Sequence, residues 1–278
     1  MAASLLHALR VTPSRFRMFC RRVSGVSGFP EAAARRGLFK EVFPAQDGPQ
    51  RLTELLESGP QTIYCGFDPT ADSLHIGNLL AVLGLIHFHR AGHNIVAVIG
   101  GATARLGDPS GRGTEREAMD PDQIAVNSRG IRLCLDRVFG NCAALLPGAR
   151  TGGTVTVLDN DQWYRQRRVS EFLGSVGRQF RVGTMMSRHS VRSRLGSPEG
   201  MNLAEFVYQM FQAYDFYHLH QEYQCTVQLG GTDQLGNIMS GHDLIHRMTG
   251  RDVFGITLPL ITNTAGDKLG KSGQCDLA

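Results

Sequence analysis

From residue 61 onward, short apolar runs alternate with stretches whose apolar positions recur at helical spacing. Ile63–Phe67 reads as a strand, and Leu74–Ala91 as a helix closed by Gly92. Ile95–Ile99 is a second strand, running into a glycine-rich loop over Gly100–Gly113. Asp120-Pro121 predicts a helix start, with an acid at the N-cap and proline in the first turn, and that helix runs to Phe139. Val155–Leu158 is a third strand. Helices follow over Val169–Val176 and Leu203–Ala213, then a strand over Cys225–Leu229, a helix over Asp233–Met248 and a last strand over Ile256–Ile261. Strands separated by helices predict an α/β fold: a parallel sheet flanked by helices, with a site at the carboxyl ends of its strands. No internal repeat is visible.

Composition narrows the class. With 278 residues, 42% of them hydrophobic, the chain can bury one substantial core. Its 33 glycines and 11 prolines are scattered, which describes a loop-rich chain rather than a low-complexity one. No apolar run approaches the ~18 residues a membrane helix needs, so no membrane partner is expected.

The net charge of +4 is unevenly distributed. Residues 1–40 carry Arg10, Arg15, Arg17, Arg21, Arg22, Arg35, Arg36 and Lys40 against Glu31 alone, a balance of +7 that leaves about −3 for the rest. An arginine-rich, serine-containing, acid-poor leader has the profile of a mitochondrial transit peptide and predicts the mitochondrial matrix. A basic tail that binds nucleic acid is the alternative. Leu5-Leu6-His7-Ala8-Leu9 is too short and interrupted for a secretory signal. Six cysteines (Cys20, Cys65, Cys134, Cys142, Cys225, Cys275) form no C-x-x-C pair and no His/Cys ligand spacing. A reduced compartment and no metal site are therefore expected. His87 and His89 lie in an apolar helical stretch and read as helix-surface or core residues.

Several short strings carry chemistry. His75-Ile76-Gly77-Asn78 sits where the strand ending at Phe67 passes through Asp68-Pro69-Thr70 into a helix. Free N–H groups and the positive end of the dipole make such a start an anion site. His75 and Asn78 share a helical face and both can donate to phosphate, while Gly77 permits close approach. The loop from Gly100 is neither G-x-G-x-x-G nor a P-loop, but it mixes Asp108 with Arg112, and Arg116 follows. Tyr208, Gln212 and Asp215 fall at i, i+4 and i+7, a polar helix face where apolar residues would be usual. In Gln228-Leu229-Gly230-Gly231-Thr232-Asp233-Gln234 a strand ends in two glycines, and Asp233 is either an N-cap or a ligand contact. Lys268-Leu269-Gly270-Lys271-Ser272 places two ammonium groups and a hydroxyl on a loop suited to clamping phosphate.

Read jointly, these strings resemble those of class I aminoacyl-tRNA synthetases and, within that class, tyrosyl-tRNA synthetases. The likeness covers roughly residues 50–272, and Tyr64-Cys65-Gly66-Phe67-Asp68-Pro69-Thr70-Ala71-Asp72-Ser73-Leu74-His75-Ile76-Gly77 is its most distinctive run. The basic leader points to the mitochondrial form. Tryptophanyl-tRNA synthetases share the fold and both ATP motifs. Tyr64-Cys65-Gly66-Phe67-Asp68, Gln212-Ala213-Tyr214-Asp215 and Gly230-Gly231-x-Asp233-Gln234 favour the tyrosine enzymes.

The resemblance implies a Rossmann-like class I catalytic domain over residues 41–278, behind a leader of residues 1–40. By it, Tyr64 and Asp215 bond the phenol of L-tyrosine, Asp108, Tyr208 and Gln212 hold its ammonium, and Gln234 lies near its carboxylate. Cys65, Gly66, Gly77, Gly231 and Asp233 belong to the ATP side, at the ribose and against bare backbone, with Asp68 beside the adenylate. Thr70, His75 and Asn78 meet the phosphates from one side, and Arg112, Arg116, Lys268, Lys271 and Ser272 from the other.

ATP is the substrate, accompanied by Mg²⁺ and with no prosthetic group. tRNA(Tyr) and a second copy of the chain, docked through residues around 140–200, are the expected partners. Asn78 departs from the second histidine usual in the first motif, and Leu269-Gly270 from the commoner Met-Ser of the lysine loop. The family continues beyond that loop into anticodon-binding and RNA-binding modules. This sequence ends at Ala278, so adenylate formation is expected to outlast tRNA charging. The second reading, from a different class, is a non-catalytic chain acting as a dimer partner or RNA-associated factor.

Overall fold

The computed structural model describes residues 37–145 and 153–262. Most of the basic leader, and the lysine loop with Lys268, Lys271 and Ser272, lie outside the described residues. Six strands form one sheet: β1 (Glu41–Phe43), β2 (Thr62–Phe67), β3 (Asn94–Ile99), β4 (Val155–Asp159), β5 (Cys225–Gly231) and β6 (Phe254–Leu258). Their order is β1-β6-β5-β2-β3-β4. The helices are α1 (Gly48–Glu57), α2 (Ile76–Arg90), α3 (Pro121–Leu145), α4 (Asp161–Tyr164), α5 (Val169–Ser175), α6 (Val182–Ser187), α7 (His189–Leu195), α8 (Leu203–Tyr223) and α9 (Leu235–Thr249).

β2 through β6 pair in parallel, with β2 Ile63 beside β3 Ile95 and β5 Val227. The expected parallel sheet needs correction at one edge, because β1 runs antiparallel along β6. β1 is joined through α1 to β2, which is not its neighbour in the sheet, so that connection does not fix its direction along β6. Lys40 N donates to Thr257 O at 2.7 Å, and Leu38 and Phe39 already pack in the main core. The packed chain thus reaches back into the stretch read as leader.

The pleat of β2 explains the two-sided core. Ile63, Cys65 and Phe67 enter one cluster with Leu85 and Phe88 of α2, Leu135 of α3 and Leu52 of α1. Tyr64 points the other way, into a cluster with Phe216 and Leu219 of α8 and Ile245 of α9. Burial on both faces is why the strands read as near-continuous apolar runs.

Boundaries shift where polar residues are buried or caps intervene. α8 continues past Ala213 to Tyr223, because Asp215 and His220 are buried in an otherwise apolar face with Phe216 and Leu219. α2 begins at Ile76, with His75 at the cap position. α3 continues past Phe139, and Asp120 Oδ1 accepts from Asp122 N at 2.7 Å, as an N-cap acid should. β6 starts earlier and ends earlier than its apolar run suggests. β1, α4, α6 and α7 are too short for a legible period, and α1 lies ahead of the periodic stretch. Sequence order along the sheet reverses between β2 and β5, which opens a crevice at their carboxyl ends.

Candidate active site

That crevice is a cleft of about 200 Å³. Every site residue expected from the sequence and lying within the described chain lines it. The β2–α2 junction contributes Tyr64, Cys65, Gly66, Asp68, Thr70, His75, Gly77 and Asn78. The Gly100–Gly113 loop and the residues just after it contribute Asp108, Arg112 and Arg116, and α8 presents Tyr208, Gln212 and Asp215. The β5–α9 junction supplies Gly231, Asp233 and Gln234.

At the deep end, Tyr64 packs its ring against Phe216 with centroids 5.1 Å apart. Its hydroxyl is buried and has no hydrogen-bond partner among the described residues. Burial, reinforced by the Asp215 charge, raises the Tyr64 hydroxyl well above its usual pKa, so it is a neutral donor and acceptor. Asp215 accepts from Trp163 Nε1 at 2.9 Å and from Asn160 Nδ2 at 3.0 Å. Burial pushes its carboxyl up to about 7, opposed by hydrogen bonds from Asn160, Trp163 and Tyr164. An unpaired phenol beside a buried carboxyl is a site that lacks one polar group.

Midway along the cleft, Asp68 Oδ2 accepts from Tyr208 Oη at 2.7 Å and Oδ1 from Thr103 Oγ1 at 2.8 Å. A Cβ on Gly100 would fall 1.9 Å from Asp68 Oδ1, so glycine is required there. Burial raises the Asp68 carboxyl, and the Tyr208 and Thr103 hydrogen bonds pull it back. Asp108 is held by Gln234 Nε2 at 2.7 Å and by Ser110 N at 3.0 Å. Asn237 Nδ2 lies 3.1 Å from both Gln212 Oε1 and Gln234 Oε1. With roughly four lone-pair directions on a carboxylate, Asp108 keeps room for a further donor.

At the mouth, the N-terminus of α2 faces the cleft. Asn78 Oδ1 accepts from His75 N at 3.1 Å, a bond that does not use the hydrogens of the Asn78 NH₂ group. Asp233 falls inside a 3₁₀ turn, Thr232–Gln234, one residue ahead of the α9 cap at Gln234, so the N-cap reading of Asp233 fails. Opposite, half-burial and the neighbouring Arg116 lower Arg112, while Asp108 and Glu205 support its charge. Cys65 lines the cleft as a thiol, because burial pushes it up to about 12.

The family model described as "tRNA synthetases class I (W and Y)" matches residues 56–276. The chain belongs to this family. It is 58% identical to human mitochondrial tyrosine–tRNA ligase over 253 residues, which is 90% of this chain and 53% of that protein. It is 48% identical to the mitochondrial enzyme of Drosophila melanogaster, over 85% of this chain and 52% of the other. The chain therefore spans about half the length of these relatives. Among solved structures, a C-terminally truncated mitochondrial tyrosyl-tRNA synthetase from Aspergillus nidulans superposes with a TM-score of 0.79 at 27% identity, covering 93% of this chain and 76% of that one. The corresponding Coccidioides posadasii structure gives 0.75 at 30% identity, over 96% and 78%.

The synthetase cleft also uses residues that sequence reasoning passed over. Asn160 ties three groups together, since it donates to Asp215 and to Thr103 Oγ1 at 3.1 Å and accepts from Ala102 N at 2.7 Å. It directly follows β4, and a polar residue at the carboxyl end of a parallel strand is a position at which an α/β site is expected. Trp163, one turn further on, had no such signal. Asn237 lies three residues after Gln234 in the same junction, a spacing that was available to read.

Proposed function

We propose that this cleft activates tyrosine with ATP, giving tyrosyl-adenylate and pyrophosphate, and that the tyrosine then passes to tRNA(Tyr) in mitochondria. The observation that carries the reading is the buried Tyr64 hydroxyl, unpaired among the described residues and beside Asp215. The phenol of a bound tyrosine completes both groups. Phenylalanine leaves the buried Tyr64 hydroxyl unpaired and brings no further donor to Asp215, and tyrosyl-tRNA synthetases are the standing example of such discrimination.

The rest of the cleft fits the same ligand. Asp108, Tyr208 and Gln212 hold the ammonium, and Gln234 turns toward the carboxylate. One carboxylate oxygen attacks the α-phosphorus of ATP; the new P–O bond forms as the bond to the bridging oxygen breaks and pyrophosphate leaves. No protein nucleophile is needed, which agrees with a protonated Cys65. Catalysis is positioning together with stabilisation of charge on the leaving pyrophosphate. His75, the Asn78 amide and Thr70 act at the N-terminus of α2, with Arg112 and Arg116 on the other side. Mg²⁺ arrives on ATP. The ribose lies toward Cys65, Gly231 and Asp233, and Asp68 sits beside the adenylate. Lys268, Lys271 and Ser272 complete the phosphate clamp.

The relatives named mitochondrial and the arginine-rich leader support the mitochondrial assignment, with the leader ending before Leu38. Val169 and Leu173 of α5, Val182 and Met186 of α6 and Leu203 of α8 are exposed apolar side chains that a second copy of the chain would cover. Tyrosine-dependent ATP–pyrophosphate exchange tests the reading. The expected result is exchange with tyrosine and little with phenylalanine or tryptophan; a folded chain with no exchange, or one that prefers tryptophan, would overturn it.

A further inference from the structure

Away from the ligand surface, one ion pair is completely enclosed. Arg194 of α7 and Glu205 of α8 have side chains 0% and 1% exposed, with Nη2 2.8 Å from Oε2. The other terminal nitrogen, Nη1, donates to Gly113 O at 2.8 Å. Gly113 lies between Arg112 and Arg116 of the cleft mouth. Beside this bond, Asn202 Nδ2 reaches Glu115 Oε1 at 2.5 Å, and Asn202 Oδ1 caps α8 through Glu205 N at 2.9 Å. The arginine loop is thus pinned at two points to the start of the helix that carries Tyr208, Gln212 and Asp215.

Arginine–carboxylate pairs frequently close as a two-bond fork. Here Arg194 Nε and Glu205 Oε1 have no partners among the described residues, and the second terminal nitrogen is used on the loop carbonyl. A flat guanidinium can reach two acceptors on different elements; an ammonium on a flexible stem cannot fix both. The loop also needs restraint, since the adjacent charges of Arg112 and Arg116 repel, and Glu205 is one of the two acids whose charge is felt at Arg112.

Resting on the activity proposed above, we infer that Arg194 is a positioning residue. It touches no substrate, and it sets where Arg112 and Arg116 meet the phosphates of ATP by tying Gly113 to Glu205. In the 278-residue protein, Arg194→Lys keeps the buried charge and loses the loop bond. It should weaken ATP binding, measured by calorimetry, and raise KM for ATP in exchange by about tenfold, while tyrosine binding stays within about twofold. Glu115→Ala cuts the second tie at an exposed position where folding is not at risk, and should weaken ATP binding by roughly threefold. Unchanged ATP affinity in both variants would overturn the inference. So would parallel losses of ATP and tyrosine binding with a lowered Tm, the pattern of a merely structural pair. A wild-type chain that binds neither ligand would overturn the activity itself, and is told apart by needing no variant.

Discussion

The Tyr64 hydroxyl is a cost to the fold and an asset to the ligand. A buried hydroxyl without a partner destabilises a protein by about 1–3 kcal/mol, so Tyr64→Phe should leave Tm unchanged or raise it. The same change should raise KM for tyrosine by about tenfold and narrow the gap between tyrosine and phenylalanine. A melt with paired exchange assays decides it, and a variant that lost stability without losing discrimination would contradict the assignment. Asp215 gives a second prediction at this scale. Its folded pKa of about 7 stands above the usual 3.8 because it is buried. Across that window the folded chain holds a proton that the unfolded chain has released, so stability falls as pH rises from about 4 to 7 and levels off above. His93, lowered to about 4 by burial, acts in the opposite sense, but it is common to wild type and Asp215→Asn. The Tm of wild type should therefore fall relative to Asp215→Asn over this window; parallel curves would contradict the buried-carboxyl account.

At the scale of elements, the strand ends position the chemistry and the helices set its depth. The strings at the ends of β2 and β5 were legible because strand, turn and helix start are consecutive in sequence. Asn160 and Trp163 were not legible as site residues, since they act on Asp215, which is more than fifty residues away in the chain. Their role depends on how β4 and α4 pack beside α8. Trp163→Phe removes one donor to Asp215 and should cost about 1–3 kcal/mol in urea unfolding, together with weaker tyrosine binding. Helix α9 meets β6 closely at Gly255, where a Cβ would stand 2.1 Å from Ile238 Cγ2. Ile238 is β-branched and fully buried, so it has little freedom to move aside. Gly255→Ala should lower stability by roughly 1–3 kcal/mol, and an unchanged urea midpoint would show that α9 can lift without penalty.

Over the whole molecule, alternation of strands and helices was enough to predict a sheet covered on both faces. The antiparallel β1 edge was not, because three residues carry no period and their direction is set by pairing with β6. The crevice follows from the order of strands rather than from any one motif. It gathers residues from six separate stretches, and that convergence is what turns weak strings into one site. The exposed apolar residues on α5, α6 and the first turn of α8 lead to a prediction at this scale. Sedimentation should give a dimer mass, and Val169→Asp combined with Leu203→Asp should shift it to the monomer.

The central claim is that the crevice joins tyrosine to ATP, and single-turnover trapping tests it most directly. Mixed with ATP and labelled tyrosine, then stripped of free ligand by rapid gel filtration, the chain should retain tyrosyl-adenylate, and His75→Ala should retain far less. A folded wild-type chain that carries tyrosine but no adenylate, or a His75→Ala variant that retains as much adenylate as wild type, would contradict the account.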